Sequence, residues 1–235
     1  MTKRSSMIYA LFGLWLAAGA SAAPSVRMSG EVYTFNTPYP VAGAIVAVAE
    51  HPEIATITDA NGRYTLDVPD HSEITLFAEM PGYRTMHLQT FETEGEDLSR
   101  VRFQLVPQPV YDYLAASMGV DPNSLLCQMV TTVSVNAVRE LDFAGFIAYG
   151  PHGEPGATVT VKPELPGPIY FNEYVFPDPS LDRTTNDGGV LFTNVPPGTY
   201  MLTAHHPEKQ FAKAKLKCEP GRFVNASPPW GLWGR

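Results

Sequence analysis

Alternation with a period of two dominates the chain. Ala44, Val46 and Val48 share one face of a short run, Tyr64, Leu66 and Val68 do the same in the next, and Ile74, Leu76 and Ala78 follow. Val101, Phe103 and Leu105 alternate with Arg100, Arg102 and Gln104. Successive side chains of a strand point to opposite faces, so this spacing predicts half-buried β-strands. Ala212, Ala214, Leu216 and Cys218 alternate in the same way with Lys213, Lys215 and Lys217. The lysine row is expected to be the solvated face of an edge strand, where lysine opposes edge-to-edge association. The period breaks between residues 110 and 127. Residues 110–118 have helical composition, and Asp121-Pro122 sets a capping carboxylate before a first-turn proline, so one or two short helices are expected there.

Three stretches recur in the same order. Residues 41–48 (VAGAIVAV) and 154–161 (EPGATVTV) share Gly-Ala-x-Val-x-Val. Residues 58–69 (TDANGRYTLDVP) match 184–196 (TTNDGGVLFTNVP), and 78–83 (AEMPGY) align with 204–209 (AHHPEK). The pattern predicts a duplicated domain. Asn61-Gly62 and Asp187-Gly188 are tight-turn dipeptides, since these residues accept the positive φ that joins antiparallel strands. The glycines of residues 184–202 therefore read as turns. A phosphate-cradling loop would need a helix after them, and β-forming residues follow instead.

Gly-Ala-x-Val-x-Val, then Thr-Asp-x-Asn-Gly-x-Tyr-x-Leu-x-Val-Pro, then Pro-Gly-Tyr resembles the carboxypeptidase regulatory-like domain of the transthyretin-like (prealbumin-like) group. The resemblance is good over residues 26–107 and looser over 128–218. It implies an all-β fold of two tandem seven-stranded Greek-key sandwiches and a noncatalytic binding or scaffolding role. The motif speaks to fold and leaves the ligand open. The expected organisation is a signal peptide at 1–22, a first sandwich at 23–107, a helical linker at 108–127, a second, divergent sandwich at 128–224 and a Pro/Trp-rich tail at 225–235.

The leader reading rests on Lys3 and Arg4, an apolar run at residues 7–20 and the small residues Ala20-Ser21-Ala22. The run is shorter than the roughly 20 residues that a membrane span needs. Export to the periplasm or the cell exterior is expected, with no membrane span after cleavage. The whole chain has a formal charge of −8. That acidity argues against nucleic acid, because phosphate binding needs a basic surface. The expected partner is an extracytoplasmic protein, a peptide or a carbohydrate. Cys127 and Cys218 are the only cysteines. In an oxidising compartment they can form a disulfide, the alternative being two buried thiols.

The two copies differ in one place. Gly156 and Gly188 lie 32 positions apart, against 19 for Gly43 and Gly62. The excess includes residues 167–182, rich in aromatics and prolines, and a long loop on a rigid sandwich is where recognition tends to reside. Tyr170, Phe171, Tyr174 and Phe176 are the candidate binding residues, with His205 and the tail residues Trp230 and Trp233. The aromatics form either a stacking platform or a flap over an open sheet. The tryptophans either pack back on the sandwich or offer a surface to a sugar ring or a partner protein. The tail is expected to be too short and proline-rich to pair as strands.

Hydrolase, zinc-protease and phosphate-loop motifs are missing from the sequence, so no catalytic residue and no cofactor are assigned. One alternative uses metal. Residues 187–200 (DGGVLFTNVPPGTY) are similar to a hairpin of the intradiol ring-cleavage dioxygenases, which bind ferric iron through two tyrosines and two histidines. That resemblance implies Tyr170 or Tyr174 with Tyr200, His205 and His206 as ligands of iron, or of copper or zinc in a carrier. The histidines depart from the pattern, being adjacent rather than one residue apart.

Overall fold

The computed structural model describes residues 24–235. The expected leader, residues 1–22, lies outside the described residues. Seven strands build the first sandwich: β1 (Ser25–Thr34), β2 (Ile45–Val48), β3 (Ala55–Ile57), β4 (Arg63–Pro69), β5 (Glu73–Glu79), β6 (Met86–Glu92) and β7 (Phe103–Leu105). They form two sheets, β4-β1-β7 and β3-β2-β5-β6. The alternating residues read from the sequence fill the space between them: Val46, Val48, Leu66, Val68, Ile74, Leu76 and Phe103 are all in one buried cluster.

After β7 the chain forms helix α1 (Gln108–Ser117), which starts behind Pro107 with a proline in its first turn. The second helix expected at Asp121-Pro122 does not form. That segment is held irregular by Asn194, whose Nδ2 donates to the Asp121 carbonyl (3.1 Å) and whose Oδ1 accepts from the Asn123 N–H (3.0 Å). Local capping potential loses here to a tertiary hydrogen bond.

The second sandwich follows: β8 (Cys127–Ser134), a 3-10 turn (Asn136–Val138), helix α2 (Phe143–Tyr149), β9 (Thr158–Lys162), β10 (Ile169–Phe171), β11 (Pro177–Asp178), β12 (Gly189–Val195), β13 (Gly198–His205), β14 (Ala214–Cys218), β15 (Phe223–Ala226) and β16 (Leu232–Trp233). The pairing relations of the first sandwich recur. As β1 runs antiparallel to β4 and parallel to β7, so β8 runs antiparallel to β12 and parallel to β15. As β5 lies between β2 and β6, so β13 lies between β9 and β14. The turns correspond in detail. Thr58 Oγ1 donates to the Val41 carbonyl and accepts from the Ala44 N–H; Thr184 Oγ1 donates to the Glu154 carbonyl and accepts from the Ala157 N–H. Gly62 and Gly188 have φ of +71° and +77°, and a Cβ on either would strike the carbonyl of Val32 or Val133.

The two sandwiches share a sheet. β15 takes the place in the second sandwich that β7 takes in the first, and its far side pairs in parallel with β6 of the first, giving the order β11-β10-β12-β8-β15-β6-β5-β2-β3. Val224 thus faces Met129 on one side and His87 on the other. Alternation along β15 then serves two cores on opposite faces: Phe223 enters the first, Val224 and Ala226 the second. The expected boundary at residue 224 therefore falls inside a strand. The tail beyond it also pairs, with Leu232 opposite Val133 in β8. Burial of Leu232 and Gly234 makes this short pairing possible despite the prolines.

The lysine row of β14 is not simply solvated. Lys215 Nζ reaches Glu73 (2.6 Å) and Glu92 (2.9 Å) of the first sandwich, and Lys217 reaches Glu50 (3.4 Å). The row lies against the acidic outer face of its neighbour, so it aligns the sandwiches as well as protecting an edge.

Cys127 and Cys218 form a disulfide, with Cα atoms 5.7 Å apart and both side chains buried. It ties β8 to β14 across the second core and closes a separation of 91 residues. Replacing both cysteines by alanine should cost about 4 kcal/mol, chiefly by freeing the unfolded chain. A urea titration checks this. The variant should lose midpoint, and reductant should shift the wild-type curve but leave the variant unaltered.

Candidate functional site

Sharing β15 has a geometric consequence. The face of the long sheet that carries the first core continues past β15 onto β8, β12 and β10, beyond the reach of the first sandwich's opposing sheet. Val130, Leu191 and Phe171 lie on this face, while their neighbours Met129, Val190 and Tyr170 fill the second core. Helix α1 covers one end. Helix α2 and the turn at residues 36–38 flank the other. Between them lies a groove with two adjoining chambers, of about 350 Å³ and about 80 Å³. Phe35, Val130, Phe171 and Asn225 line both.

Local chemistry fixes each wall. Asp142 Oδ1 accepts from the Gly145 N–H (2.7 Å) and caps α2. Phe146 of α2 packs under the Arg102 guanidinium, 5.1 Å from its ring centre. Arg102 is buried just before β7, paired with Glu31 of β1 (3.0 Å), and donates to the Leu141 carbonyl (2.9 Å). A helix belonging to the second half of the sequence is thereby anchored to the edge of the first sandwich. At the other end, Tyr111 of α1 meets Phe223 edge-on at 5.5 Å and lies beneath the Arg84 guanidinium. The floor is shaped by Gly189: a Cβ there would lie 2.7 Å from the ring of Phe171, so only glycine lets that ring settle on β12.

The larger chamber is polar at one end. Asn225, Ser227, Thr132, Gln104 and Asp187 border it, as do Glu173 and His152. Ser227 Oγ donates to Asn225 Oδ1. Asp187 accepts one hydrogen bond, from the Gly189 N–H to Oδ2 (3.0 Å). Burial pushes its carboxyl up to about 6, against the pull of that bond. Burial likewise lowers the His152 imidazole, opposed by its contact with the Gly150 carbonyl. Among the described residues, no lysine or arginine borders either chamber. The smaller chamber is apolar, bordered by Leu114, Met118, Leu191 and Phe223.

The residues expected at the site are divided. Residues 167–182 form a hairpin, β10 and β11, that extends the sheet. Tyr170 points into the core and its hydroxyl accepts from the Val159 N–H (3.1 Å). Phe171 faces the groove. Tyr174 at the tip is 79% exposed and Phe176 is 43% exposed. Asn172 Oδ1 holds the tip by accepting from the N–H groups of Tyr174 and Phe176. Of the four aromatics, only Phe171 lines the groove. The tail packs back: Trp230 meets Phe91 edge-on at 5.3 Å, and the Arg139 guanidinium lies 4.0 Å from the Trp230 ring and 4.7 Å from Trp233.

The alternative ligand set is not brought together. Tyr200 is buried in the second core, its hydroxyl donating to the Pro196 carbonyl (2.9 Å), while His205 lies on the opposite, exposed face of the same strand, bonded to Thr160 Oγ1. His206 Nδ1 accepts from the Glu208 N–H. With Tyr174 at the tip of the β10–β11 hairpin, the five residues do not converge on one point. Asp187, Asn225, Gln104 and His152 were not expected at a site. Asp187 had only its turn-forming role as a signal in the sequence, and Asn225 acquires its place from the pairing of β15.

No family model matches the chain, and no curated protein matches it. Among solved structures, a type II cohesin-X-dockerin complex from Acetivibrio cellulolyticus is 17% identical over 34% of this chain and 56% of that one, with a TM-score of 0.28. The Bacillus anthracis TIE protein is 15% identical over 89% of this chain and 34% of that one, with a TM-score of 0.27. The chain thus spans about half and about a third of these two chains. GBS52, a minor pilin of Streptococcus agalactiae, is 9% identical over 89% of this chain and 95% of that one, at 0.26. Scores this low mark poor overall superposition, and no role is drawn from them.

Asp187 offers a direct check on the groove's electrostatics. A carboxyl whose value is raised by folding binds its proton more tightly in the folded state. Its ionisation therefore costs stability, beginning near pH 4 and complete above about pH 6. Asp187→Asn keeps the acceptor for Gly189 and removes the charge. It should stabilise the protein by about 2 kcal/mol at pH 8 and leave it unchanged at pH 4, read as the difference in Tm between the two conditions.

Proposed function

We propose that this is an exported, noncatalytic binding protein that takes its ligand in the groove between two transthyretin-like sandwiches. The observation that carries the reading is the groove itself. It has an apolar floor, a small set of converging polar groups and walls held by helices from both halves of the chain. That combination is what small-molecule and peptide sites present. The matched turn hydrogen bonds of Thr58 and Thr184 support reading the sandwiches as copies of one domain. The disulfide supports export, because such bonds persist in oxidising compartments.

The dimensions favour a short segment or a small molecule over the broad face of a globular partner. Among the carbohydrate, peptide and protein ligands expected from the sequence, a short peptide or a compact sugar suits the larger chamber, which Glu173 and Val175 of the β10–β11 hairpin border.

Gln104 lies on edge strand β7 and borders the larger chamber. Gln104→Trp should fill that chamber without disturbing either core. In a screen of oligosaccharides and short peptides against the mature protein, hits for the wild type should lose binding at least about tenfold in this variant. Hits that bind both proteins equally would place recognition outside the groove.

A further inference from the structure

The groove has a charge character that narrows its ligand. Two carboxylates, Asp187 and Glu173, border the larger chamber, and among the described residues no lysine or arginine borders it with them. Among the described residues Asp187 has one donor to its side chain, the Gly189 N–H at 3.0 Å, and no salt-bridge partner. Asp187 is half-buried; a carboxylate partly withdrawn from water without a counter-charge is costly, and a cation that completes its surroundings recovers part of that cost. Among the described residues, the only other titratable groups bordering the chamber are His152, after α2, and Tyr33, on β1. Burial holds the His152 imidazole towards its neutral form and pushes the Tyr33 hydroxyl well up, so neither supplies the charge. A ligand bearing carboxylate or phosphate would meet repulsion from Asp187 and Glu173. A neutral polyol would cover Asp187 while leaving its charge uncompensated. Beyond Phe171 and Val130 the groove becomes the apolar chamber under α1.

Resting on the reading of the groove as the ligand site, we propose that it binds an ammonium group joined to an apolar body, with the ammonium against Asp187 and the apolar body over Phe171 towards α1. Two sources carry this chemistry: a free arylalkylamine, or a lysine beside an apolar residue in an exposed peptide. Two donor hydrogens remain on the ammonium once Asp187 is engaged, and Glu173, Asn225 and Thr132 border the same chamber as acceptors. Binding should strengthen as pH rises through about 6, where Asp187 loses its proton while the amine keeps its own.

Titrations followed by protein NMR test the proposal with four probes: phenethylamine, its neutral counterpart 2-phenylethanol, N-acetyl-Lys-Phe-amide, and the same peptide with acetylated lysine. At least one charged probe should bind about tenfold more tightly than its neutral counterpart at pH 7.5, with the advantage lost in Asp187→Asn and at pH 4.5. Preference for phenethylamine identifies a free amine as the ligand type, and preference for the lysine peptide identifies a peptide. Equal binding of charged and neutral probes, an undiminished advantage in Asp187→Asn, or no binding by either charged probe would overturn the proposal. If Gln104→Trp abolishes binding of the neutral probes, the groove reading survives that outcome. If charged probes bind Gln104→Trp as they bind the wild type, the groove reading falls and the proposal falls with it.

Discussion

Everything distinctive in this molecule depends on one strand of four residues. β15 completes the second sandwich by pairing with β8, and its remaining edge pairs with β6 of the first. A sheet edge left open presents unpaired N–H and C=O groups, and here two such edges satisfy each other within one chain. Because side chains alternate along β15, the strand feeds one core with Phe223 and the other with Val224 and Ala226. The sandwiches must therefore lie on opposite faces of the common sheet. Each leaves uncovered the face that the other uses, and the groove is that uncovered face where helices close over it.

Charge reinforces the join. Lys215 and Lys217 of β14 pair with Glu73, Glu92 and Glu50 on the outer face of the first sandwich. His87, opposite Val224, stacks on Phe77 at 5.4 Å between ring centres, and burial, with Arg222 and Arg84 nearby, holds its imidazole down to about 3. A histidine lowered in this way supports the fold above its ordinary range and withdraws support as acid protonates it. Arg84 also donates to the Gly221 carbonyl just before β15 (2.6 Å). The seam is thus a backbone ladder flanked by ionic and cationic contacts, and the polar contacts fix the angle at which the two halves meet.

The sequence disclosed the sandwiches because their information is local. Val46 and Val48, Leu66 and Val68, or Ile74 and Leu76 need only period two to reveal a buried face, and Gly62 and Gly188 mark turns through a φ that other residues resist. The groove was hidden because its information is relational. Asp187 becomes a half-buried carboxylate on a chamber wall only when β10 sets Phe171 over Gly189 and α2 supplies another wall. Asn225 reads as the start of a Pro/Trp-rich tail until β15 is placed between β8 and β6. Helix α2 is only seven residues long and held by Arg102 from another domain, so it has little helical signal of its own. The hairpin at residues 167–182 was legible as an insertion, yet which of its aromatics face inward depended on the sheet it joined.

The central claim is that β15 couples the two sandwiches into one cooperative unit. Val224→Pro removes an N–H from the middle of a central strand, a change that costs about 3 kcal/mol or more where ladder pairing is essential. Differential scanning calorimetry of the disulfide-intact protein reads the outcome. The wild type should unfold in a single transition, and the variant should separate into two transitions, one for each sandwich. A variant that still unfolds in one transition at the wild-type temperature would contradict the account.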